Sequence, residues 1–347
     1  MSDALVDLSS PKRVHVIGVG GAGMSAITEV LSGMGHTVTG SDLKDSAGIE
    51  RLRALGVTCH IGHEEQNLGS AELVTRSNAV PDRNPECQSA VRRGIPLVPR
   101  ADILAAICNE RRTIAVAGTH GKTTTASMFA LILRRAEERP SFVIGGDVNE
   151  IGSGAAWDEG RVLVVEADES ERTFAKLPRQ AGIITNVEPE HLDFYAEYSA
   201  LLNEFERFVR ETDGPVMVGI DESDGSRVAA ATKAERVGTD DAAEWRLCDI
   251  QETWGGVSFV LREPEENQLQ IDLAGPGLHN ARNAACAAAL ARRLEIPSEA
   301  ITDALASFGG VSRRFEHRGK FSGVEFVDDY AHLPTEIRAT IAAASVR

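Results

Sequence analysis

Residues 113–124 read TIAVAGTHGKTT, and this stretch decides the fold of the chain. Its apolar, β-branched start predicts a buried strand, and a helical pattern from Lys122 to Arg135 follows it directly. A glycine-rich turn that ends in Gly-Lys-Thr-Thr between a strand and a helix is typical of a P-loop. The stretch departs from the standard spacing, which would place the first glycine at the position of Val116.

The end of this turn nevertheless has the groups that phosphate binding requires. Its backbone amides can surround phosphate oxygens, Lys122 can reach β- and γ-oxygens, and the hydroxyl of Thr123 can ligate magnesium. We therefore predict an ATP site that consists of Gly118, Thr119, His120, Gly121, Lys122, Thr123 and Thr124.

A P-loop also needs an acidic residue at the end of a neighbouring strand to hold the metal. Glu166 is the leading candidate, because it follows the apolar run 162–165 immediately. We expect at least two of the acidic residues that follow, Asp168, Glu169 and Glu171, to lie in a solvent-exposed turn. His191 follows another strand pattern and is either structural or a metal ligand.

A second glycine-rich turn lies near the amino terminus. Gly18, Gly20 and Gly23 form G-x-G-x-x-G after a strand pattern, and Asp42 closes the next one. Such a turn lets the backbone approach a pyrophosphate at a helix amino terminus, and the acidic residue can accept a hydrogen bond from a ribose. The geometry suits NAD, FAD and UDP-sugars alike, so the turn predicts a nucleotide site without choosing the nucleotide.

Strand and helix patterns alternate on both sides of these turns, which predicts two parallel α/β sheets. A polar tetrapeptide at 109–112 separates the two units, and the alternation at 258–273 suits a hairpin. After Gly309 a strand at 324–327 and a helix from Pro334 begin a further unit. The expected organisation is a Rossmann-like domain at 1–108, a central P-loop α/β domain at 109–317, and the start of a third Rossmann-like domain at 318–347.

Composition narrows the functional class. With 42% hydrophobic and 25% charged residues, the chain is typical of a globular protein. The formal net charge of −16 disfavours binding to nucleic acid or to anionic membranes, and no apolar run reaches the roughly 20 residues of a membrane helix. Five scattered cysteines without metal-ligand spacing are expected to be buried thiols. We expect a cytoplasmic protein that is a monomer or a weak homodimer.

Taken together, the motifs resemble those of the Mur ligases, the ATP-dependent amide ligases of peptidoglycan precursor synthesis. The resemblance spans essentially the whole chain. It rests on seven motifs in the family's order: GGAGM at 20–24, GTHGKTT at 118–124, EADES at 166–170, TNVEPEH at 185–191, HNARNA at 279–284, RRF at 313–315 and DDYAH at 328–332.

The resemblance implies that the first domain binds the UDP part of a substrate and that the central domain binds ATP and Mg²⁺. The implied substrate-binding residues are Gly18, Gly20, Gly21, Ala22, Gly23, Met24, Asp42, Ser77, Tyr330 and His332. Beyond the P-loop, the implied ATP-binding residues are Asn280, Asn283, Arg314 and Asp329. The implied metal ligands are Thr123, Glu166 and His191, and the implied catalytic residues are Lys122, His191, Arg314 and His332.

Within the family, the chain resembles most the branch that joins L-alanine to UDP-N-acetylmuramate. The implied chemistry transfers the γ-phosphoryl group of ATP to the lactyl carboxylate, after which the amine attacks the acyl phosphate. The nearest alternative is the branch that recycles a murein tripeptide. Some sister ligases carboxylate a lysine, but this chain has none between Lys176 and Lys233, so no carbamate is expected.

Two departures from the family pattern carry expectations. Leu333 stands where the family usually has a second histidine, which is expected to weaken function, and Glu171 stands where relatives often have aspartate. The resemblance also implies that the arginines for the alanine carboxylate lie beyond Arg347. The chain is therefore expected to bind the UDP-linked substrate but to ligate alanine poorly.

Two readings from other classes remain open at this point. An NAD-dependent oxidoreductase would use the first glycine turn but leaves residues 118–124 without a purpose. A nucleotide-binding protein without full activity would use both turns and catalyse nothing.

Overall fold

The computed structural model describes residues 6–168, 173–189 and 197–346. Its first unit contains the strands β1 (Arg13–Ile17), β2 (Thr37–Asp42), β3 (Thr58–Ile61), β4 (Leu73–Arg76) and β5 (Leu97–Pro99). Its helices are α1 (Ala22–Gly33), α2 (Ala47–Ala54), a 3₁₀ helix (Glu65–Leu68), α3 (Pro85–Arg92) and α4 (Arg100–Asn109).

The five strands of this unit form one parallel sheet in the order β3-β2-β1-β4-β5. The chain adds strands on one side of β1 and then crosses to the other side, so β1 lies where the strand order reverses. The first glycine turn follows β1 and leads into α1. Ligands of open α/β sheets bind at this kind of reversal, outside the carboxyl ends of the strands.

The second unit is built around a larger sheet. Its strands are β6 (Arg112–Ala117), β7 (Ser141–Val148), β8 (Ser153–Ala156), β9 (Val162–Glu166), β10 (Ala181–Ile184), β11 (Val216–Gly219), β12 (Glu235–Gly238), β13 (Trp245–Thr253), β14 (Gly256–Arg262) and β15 (Gln268–Leu273). Its helices are α5 (Lys122–Arg135), α6 (Thr173–Lys176), α7 (Tyr198–Arg210), α8 (Ser223–Ala230), α9 (Leu278–Arg293) and α10 (Ser298–Ala306).

This sheet has the order β15-β14-β13-β12-β11-β10-β6-β9-β7-β8. The strands from β13 across to β7 run parallel, while β8, β14 and β15 are antiparallel to their neighbours. Strand β6 lies between β9 and β10, so the P-loop that follows β6 also stands at a reversal of strand order. The apolar helix α5 packs into the core below it, with Phe129 and Ile132 fully buried.

The last described residues form a hairpin of β16 (Glu316–Phe321) and β17 (Val324–Asp328), followed by α11 (Pro334–Ser345). The sequence predicted β17 and α11 but not β16. The pattern of β16, EHRGKF, is polar and gives no alternating apolar face. The outer side of this hairpin leaves Phe321, Val324 and Phe326 exposed.

The predicted fold class is confirmed: a parallel Rossmann-like sheet precedes a large central α/β sheet that carries the P-loop. The hairpin predicted at 258–273 is β14 and β15. The expectation of five buried thiols is wrong for two of them, since Cys59 and Cys248 are partly exposed. Cys59 lies on the edge strand β3, and Cys248 lies where a bulge interrupts β13.

The residue ranges assigned to the three domains remain a prediction. Helix α4 of the first unit ends at Asn109 and β6 of the second begins at Arg112, and β16 begins at Glu316. Among the described helices, none has the length and apolar character needed to span a bilayer.

Candidate active site

The P-loop has the backbone geometry of a phosphate-binding turn. Gly118 and Gly121 have φ values of +127° and +76°, which side chains other than glycine rarely adopt. Gly121 caps the amino terminus of α5, so the amides of the first helical turn point into the loop. The ammonium of Lys122 donates to the carbonyl oxygens of Gly118, at 2.7 Å, and Thr119, at 3.1 Å.

The loop is held in place by residues that follow β10. Asn186 accepts a hydrogen bond from the His120 amide at 2.9 Å and donates to the His120 carbonyl at 3.0 Å. The hydroxyl of Thr119 accepts from the Glu188 amide at 2.9 Å. Sequence reasoning gave Asn186 and Glu188 no role, although both lie in the motif at 185–191, directly after a strand at the same sheet edge.

A cavity of about 570 Å³ opens beside the P-loop. Every candidate for ATP binding outside the P-loop reaches it: its lining includes Asn280, Asn283, Arg314 and Asp329. From the loop itself come His120, Gly121 and Thr124, and the apolar part of the wall includes Trp254, Phe308 and Phe315. A cavity of this size, lined by both polar groups and aromatic rings, suits a nucleotide.

Asn280 and Asn283 lie one helical turn apart at the start of α9. Asn283 packs against the P-loop so closely that a Cβ on Gly121 would lie 2.5 Å from its Oδ1. Asn280 donates to the carbonyl oxygen of Pro276 at 2.7 Å, which leaves its own side-chain oxygen for other partners.

The predicted metal ligands Thr123 and Glu166 lie together. The Thr123 hydroxyl is 3.0 and 3.1 Å from the two carboxylate oxygens of Glu166, and the Gly145 amide donates to the same carboxylate at 2.7 Å. A hydroxyl and a carboxylate are the hard oxygen donors that Mg²⁺ prefers, so the pair fits this ion. The third predicted ligand, His191, lies outside the described residues, as does Glu171. Within the described part, no group of three or more His, Cys, Asp or Glu side chains could hold a metal ion.

A second cavity, of about 460 Å³, lies between the first unit and the central sheet. Ala22, Glu29 and Arg51 line it from the first unit, and Thr123, Gly146 and Glu166 line it from the second. Arg51 forms a 3.0 Å ion pair with Asp147 across the gap. The two cavities share Arg314, and they meet at the amino terminus of α5, with Thr123 facing one and Thr124 the other.

The first glycine turn is also preorganised. Gly18 has φ +81°, and a Cβ there would lie 3.0 Å from Cβ of Ser77, so the fold places Ser77 beside the turn. Asp42 accepts a hydrogen bond from the Gly20 amide at 2.9 Å, so it braces the turn as well as standing at the end of β2. The side chain of Met24 is buried in the core.

The three predicted residues of the C-terminal segment differ in their position relative to the two cavities. Asp329 accepts from the Phe315 and Ala331 amides at 2.9 and 2.7 Å, and lines the first cavity. Tyr330 lines the second cavity, where its ring lies 4.6 Å from the Arg313 guanidinium. His332 lies exposed on the surface and belongs to the lining of neither cavity.

Glu336, which the sequence did not single out, reaches the P-loop from α11. Its carboxylate lies 3.3 Å from Nδ1 of His120, 3.9 Å from the Arg314 guanidinium and 3.0 Å from the His332 amide. Burial acts to raise the pKa of Glu336, but hydrogen bonds from His120 and from the His332 and Leu333 amides outweigh it and lower the pKa to about 2. A fixed negative charge therefore stands beside the ATP-binding turn.

Comparison with known proteins agrees with this architecture. Residues 13–112 match the model described as "Mur ligase family, catalytic domain", and residues 116–291 match the Mur ligase middle domain. The UDP-N-acetylmuramate–L-alanine ligase of Rubrobacter xylanophilus is 45% identical over 96% of this chain and 74% of its own length.

Solved structures give the same grouping. The UDP-N-acetylmuramate–alanine ligase of Thermotoga maritima superposes with a TM-score of 0.87 and 29% identity, covering 96% of this chain and 77% of its own. A murein peptide ligase of Psychrobacter arcticus superposes with a TM-score of 0.80 and 25% identity, covering 96% and 76%. The resemblance read from the seven motifs is confirmed.

Proposed function

The chain belongs to the Mur ligase family, and from that premise we propose that it is an ATP-dependent ligase that joins L-alanine to the lactyl carboxylate of UDP-N-acetylmuramate. The observation that carries this function is the meeting of two cavities at the first turn of α5, with Arg314 in the lining of both. A phosphoryl group held by this turn has an acceptor chamber on one side and a nucleotide chamber on the other.

In this proposal the residues of the first cavity bind ATP. The P-loop amides and Lys122 surround the β- and γ-phosphates, and Asn280 and Asn283 orient the nucleotide from α9. Lys122 reaches the phosphates by leaving the carbonyl oxygens of Gly118 and Thr119. Because the P-loop amides are already aimed into the loop, these amides stabilise charge without reorganising at the moment of reaction.

The residues of the second cavity place the acceptor carboxylate. The UDP part lies at the first glycine turn, and its acyl end extends past Ala22 and Arg51 towards Thr123. Thr123 and Glu166 would hold Mg²⁺, with His191 as a further ligand; when bound, the ion neutralises charge on the phosphate oxygens. Arg314 stands where it can contact the transferring group from either side.

Transfer of the γ-phosphoryl group breaks its bond to the ADP oxygen and forms a bond to a carboxylate oxygen. The acyl phosphate is then attacked by the amine of L-alanine, and inorganic phosphate leaves. Phosphoryl transfer needs mainly in-line positioning and neutralised oxygen charge, which Lys122 and Arg314 supply. We propose that Asp329, Tyr330 and His332 act from the C-terminal segment, although His332 lies outside both cavities.

Activation of the carboxylate can be tested apart from amide formation. The chain is incubated with UDP-N-acetylmuramate, ATP, Mg²⁺ and hydroxylamine, which converts an acyl phosphate to a hydroxamate. Hydroxamate and ADP should appear together and only with UDP-N-acetylmuramate present. ADP release that does not depend on UDP-N-acetylmuramate, without formation of a hydroxamate, would contradict the proposal.

The amine is tested separately, because the tripeptide-recycling branch activates the same carboxylate. L-alanine and the tripeptide L-alanyl-γ-D-glutamyl-meso-diaminopimelate are offered in parallel, and the UDP-linked product is identified by mass. The alanine adduct should predominate. If the tripeptide adduct predominated instead, the chain would be assigned to the recycling branch. A cytoplasmic location, a monomeric or weakly dimeric state and the absence of nucleic-acid and membrane partners remain predictions.

A further inference from the structure

Glu86 is a carboxylate buried between α3 and the first sheet. It is the second residue of α3, and its side chain has no exposed surface. Its ion-pair partners in the described part of the chain are two histidines: Nε2 of His15 lies 3.5 Å from the carboxylate, and Nδ1 of His63 lies 3.4 Å from it. A buried carboxylate is costly unless donors surround it.

Hydrogen-bond donors from three further residues complete the surroundings of this carboxylate. The Ser41 hydroxyl donates to it at 2.5 Å, the Asn67 side-chain amide at 2.7 Å and the Glu64 backbone amide at 3.3 Å. Burial acts to raise the pKa of this carboxyl group, but contacts with His15, Ser41 and Asn67 outweigh it and hold the pKa below its usual value. The group is therefore an anion at neutral pH.

Ser41 joins this carboxylate to the first glycine turn. Its hydroxyl faces the carboxylate, while its carbonyl oxygen accepts from the Gly18 amide at 2.8 Å and from the Val19 amide at 3.1 Å. The next residue, Asp42, accepts from the Gly20 amide at 2.9 Å. The end of β2 thus holds three successive amides of the turn, and a shift of β2 would move all three.

The loop after β3 holds the end of β2 from its other side. Nδ1 of His63 lies 3.0 Å from the Ser41 hydroxyl. Because that hydroxyl donates to the carboxylate, it accepts from His63, which assigns a proton to Nδ1. The Gly62 amide donates to the Asp42 carbonyl oxygen at 2.8 Å. The carboxylate, the loop and the end of β2 therefore form one connected network.

An ionised acceptor forms shorter and stronger hydrogen bonds than a neutral one, so Glu86 fixes Ser41 more firmly than an uncharged side chain would. The turn that β2 holds leads into α1, where the amides of Ala22 and Gly23 have no partner within the helix. We propose that Glu86 is a positioning residue for the UDP-linked substrate, which acts through Ser41 to keep the first glycine turn and these free amides in place. The inference rests on the proposed function, because it takes the ligand of this turn to be UDP-N-acetylmuramate.

The test compares the two nucleotide sites in each variant. Glu86→Gln keeps the size of the side chain and removes its charge, whereas Ser41→Ala removes only the hydroxyl. By isothermal titration, the affinity for UDP-N-acetylmuramate should fall by about tenfold in both variants, as expected for a lost charge-assisted hydrogen bond. The affinity for a non-hydrolysable ATP analogue with Mg²⁺ should stay unchanged.

Glu65→Gln is the matched control, because Glu65 is an exposed carboxylate of the same unit that pairs with Arg92 at 2.6 Å. It should leave both affinities unchanged. Unchanged UDP-N-acetylmuramate affinity in Ser41→Ala overturns the inference, and this arm decides the matter even where Glu86→Gln does not fold. If the original chain itself binds no UDP-N-acetylmuramate, the proposed function fails, and the inference fails with it.

The double variant shows whether Glu86 acts through Ser41. Since each single change breaks the same link, the loss in Glu86→Gln with Ser41→Ala should be no larger than the larger single loss. Losses that multiply in the double variant would show that the two residues act independently, which overturns the inference.

The hydroxamate assay separates positioning from a general loss of structure. In Glu86→Gln the KM for UDP-N-acetylmuramate should rise by about tenfold, as the affinity falls, while kcat stays unchanged because the groups that transfer the phosphoryl belong to the second unit. A lower kcat with an unchanged KM, or an equal loss of affinity for the ATP analogue, would assign Glu86 a role in the fold as a whole and overturn the inference.

Discussion

The carboxylate of Glu336 lies 3.3 Å from Nδ1 of His120, so an acidic residue of α11 contacts the P-loop itself. His120 is also 3.5 Å from Glu188, and the neighbouring Thr335 donates to Glu188 at 2.8 Å. Through these contacts α11 is docked on the ATP-binding turn. Negative charge at this place opposes the entry of a triphosphate, whose oxygens require the same cationic surroundings.

Replacing the carboxylate should therefore help the nucleotide to bind. Glu336→Gln keeps an oxygen for the His332 and Leu333 amides, because glutamine serves in a capping box as glutamate does. We expect the affinity for a non-hydrolysable ATP analogue with Mg²⁺ to rise by about three- to tenfold, as for removal of one nearby like charge. Isothermal titration measures this. Glu325→Gln is the charge-matched control, since Glu325 pairs with Lys320 on the exposed hairpin; unchanged or weaker binding in Glu336→Gln would refute the expectation.

The same residue predicts a pH dependence of stability. The pKa of Glu336 is lowered from 4.5 to about 2 in the folded chain. A lowered pKa contributes stability above the unfolded value, and that contribution is lost as the pH falls from about 4.5 to about 2. The free energy of unfolding of the original chain should therefore exceed that of Glu336→Gln at pH 7 by about 1 to 3 kcal/mol, and the gap should close near pH 2. Denaturant unfolding at several pH values measures the gap, and a gap independent of pH would count against the assignment.

Lys122 should matter for one nucleotide only. Its ammonium must leave two P-loop carbonyl oxygens to meet phosphate, and methionine cannot make that contact. We expect Lys122→Met to weaken binding of the ATP analogue by about tenfold or more and to leave UDP-N-acetylmuramate binding unchanged. Lys176→Met is the control, because Lys176 pairs with Asp102 in an exposed position. An equal loss for both ligands would show that Lys122 acts on the fold and not on the phosphates.

Glu166 should account for the response to magnesium. The original chain should bind the ATP analogue more tightly with Mg²⁺ than without it, and Glu166→Gln should lose most of this gain because an amide is a weaker ligand for a hard cation. The comparison with and without the ion is made by titration. Glu159→Gln, which alters an exposed carboxylate paired with Arg139, should keep the gain. If Glu166→Gln kept the full gain in affinity with Mg²⁺, Glu166 would not be a metal ligand.

Alanine variants at Gly121 and Gly35 distinguish the effect of backbone strain on stability from the effect of a blocked ATP site on binding. Both have positive φ, +76° and +91°, so alanine at either position should cost about 1 to 3 kcal/mol of stability. A Cβ at Gly35 would meet nothing within 4 Å, whereas at Gly121 it would strike Asn283. Gly121→Ala should therefore also abolish binding of the ATP analogue, and Gly35→Ala should not. Equal affinities in the two variants, by titration, would show that Asn283 and the P-loop can separate freely.

Much of this architecture is predictable from the sequence because its signals are local. The P-loop, the first glycine turn and helix α5, whose predicted bounds Lys122 to Arg135 match the structure, depend on neighbouring residues. The polar strand β16 was not predicted because its own sequence has no alternating apolar pattern. It forms a strand through its antiparallel pairing with β17. The role of Glu336 was not predicted for a different reason. Its contact with His120 joins residues 216 positions apart, and no local sequence pattern indicates so distant a contact.

Asp329, which the resemblance implied for ATP binding, lines the first cavity, and its role there remains a prediction.

In the proposed function, the two glycine-rich turns bind two different nucleotides at once. Isothermal titration tests it most directly: UDP-N-acetylmuramate is titrated into the chain alone and into the chain saturated with the ATP analogue and Mg²⁺. We expect one UDP-N-acetylmuramate per chain in both titrations, and we expect Lys122→Met to weaken binding of the analogue while UDP-N-acetylmuramate binding is kept. Competition between the two ligands, or no heat from UDP-N-acetylmuramate in either titration, would contradict it.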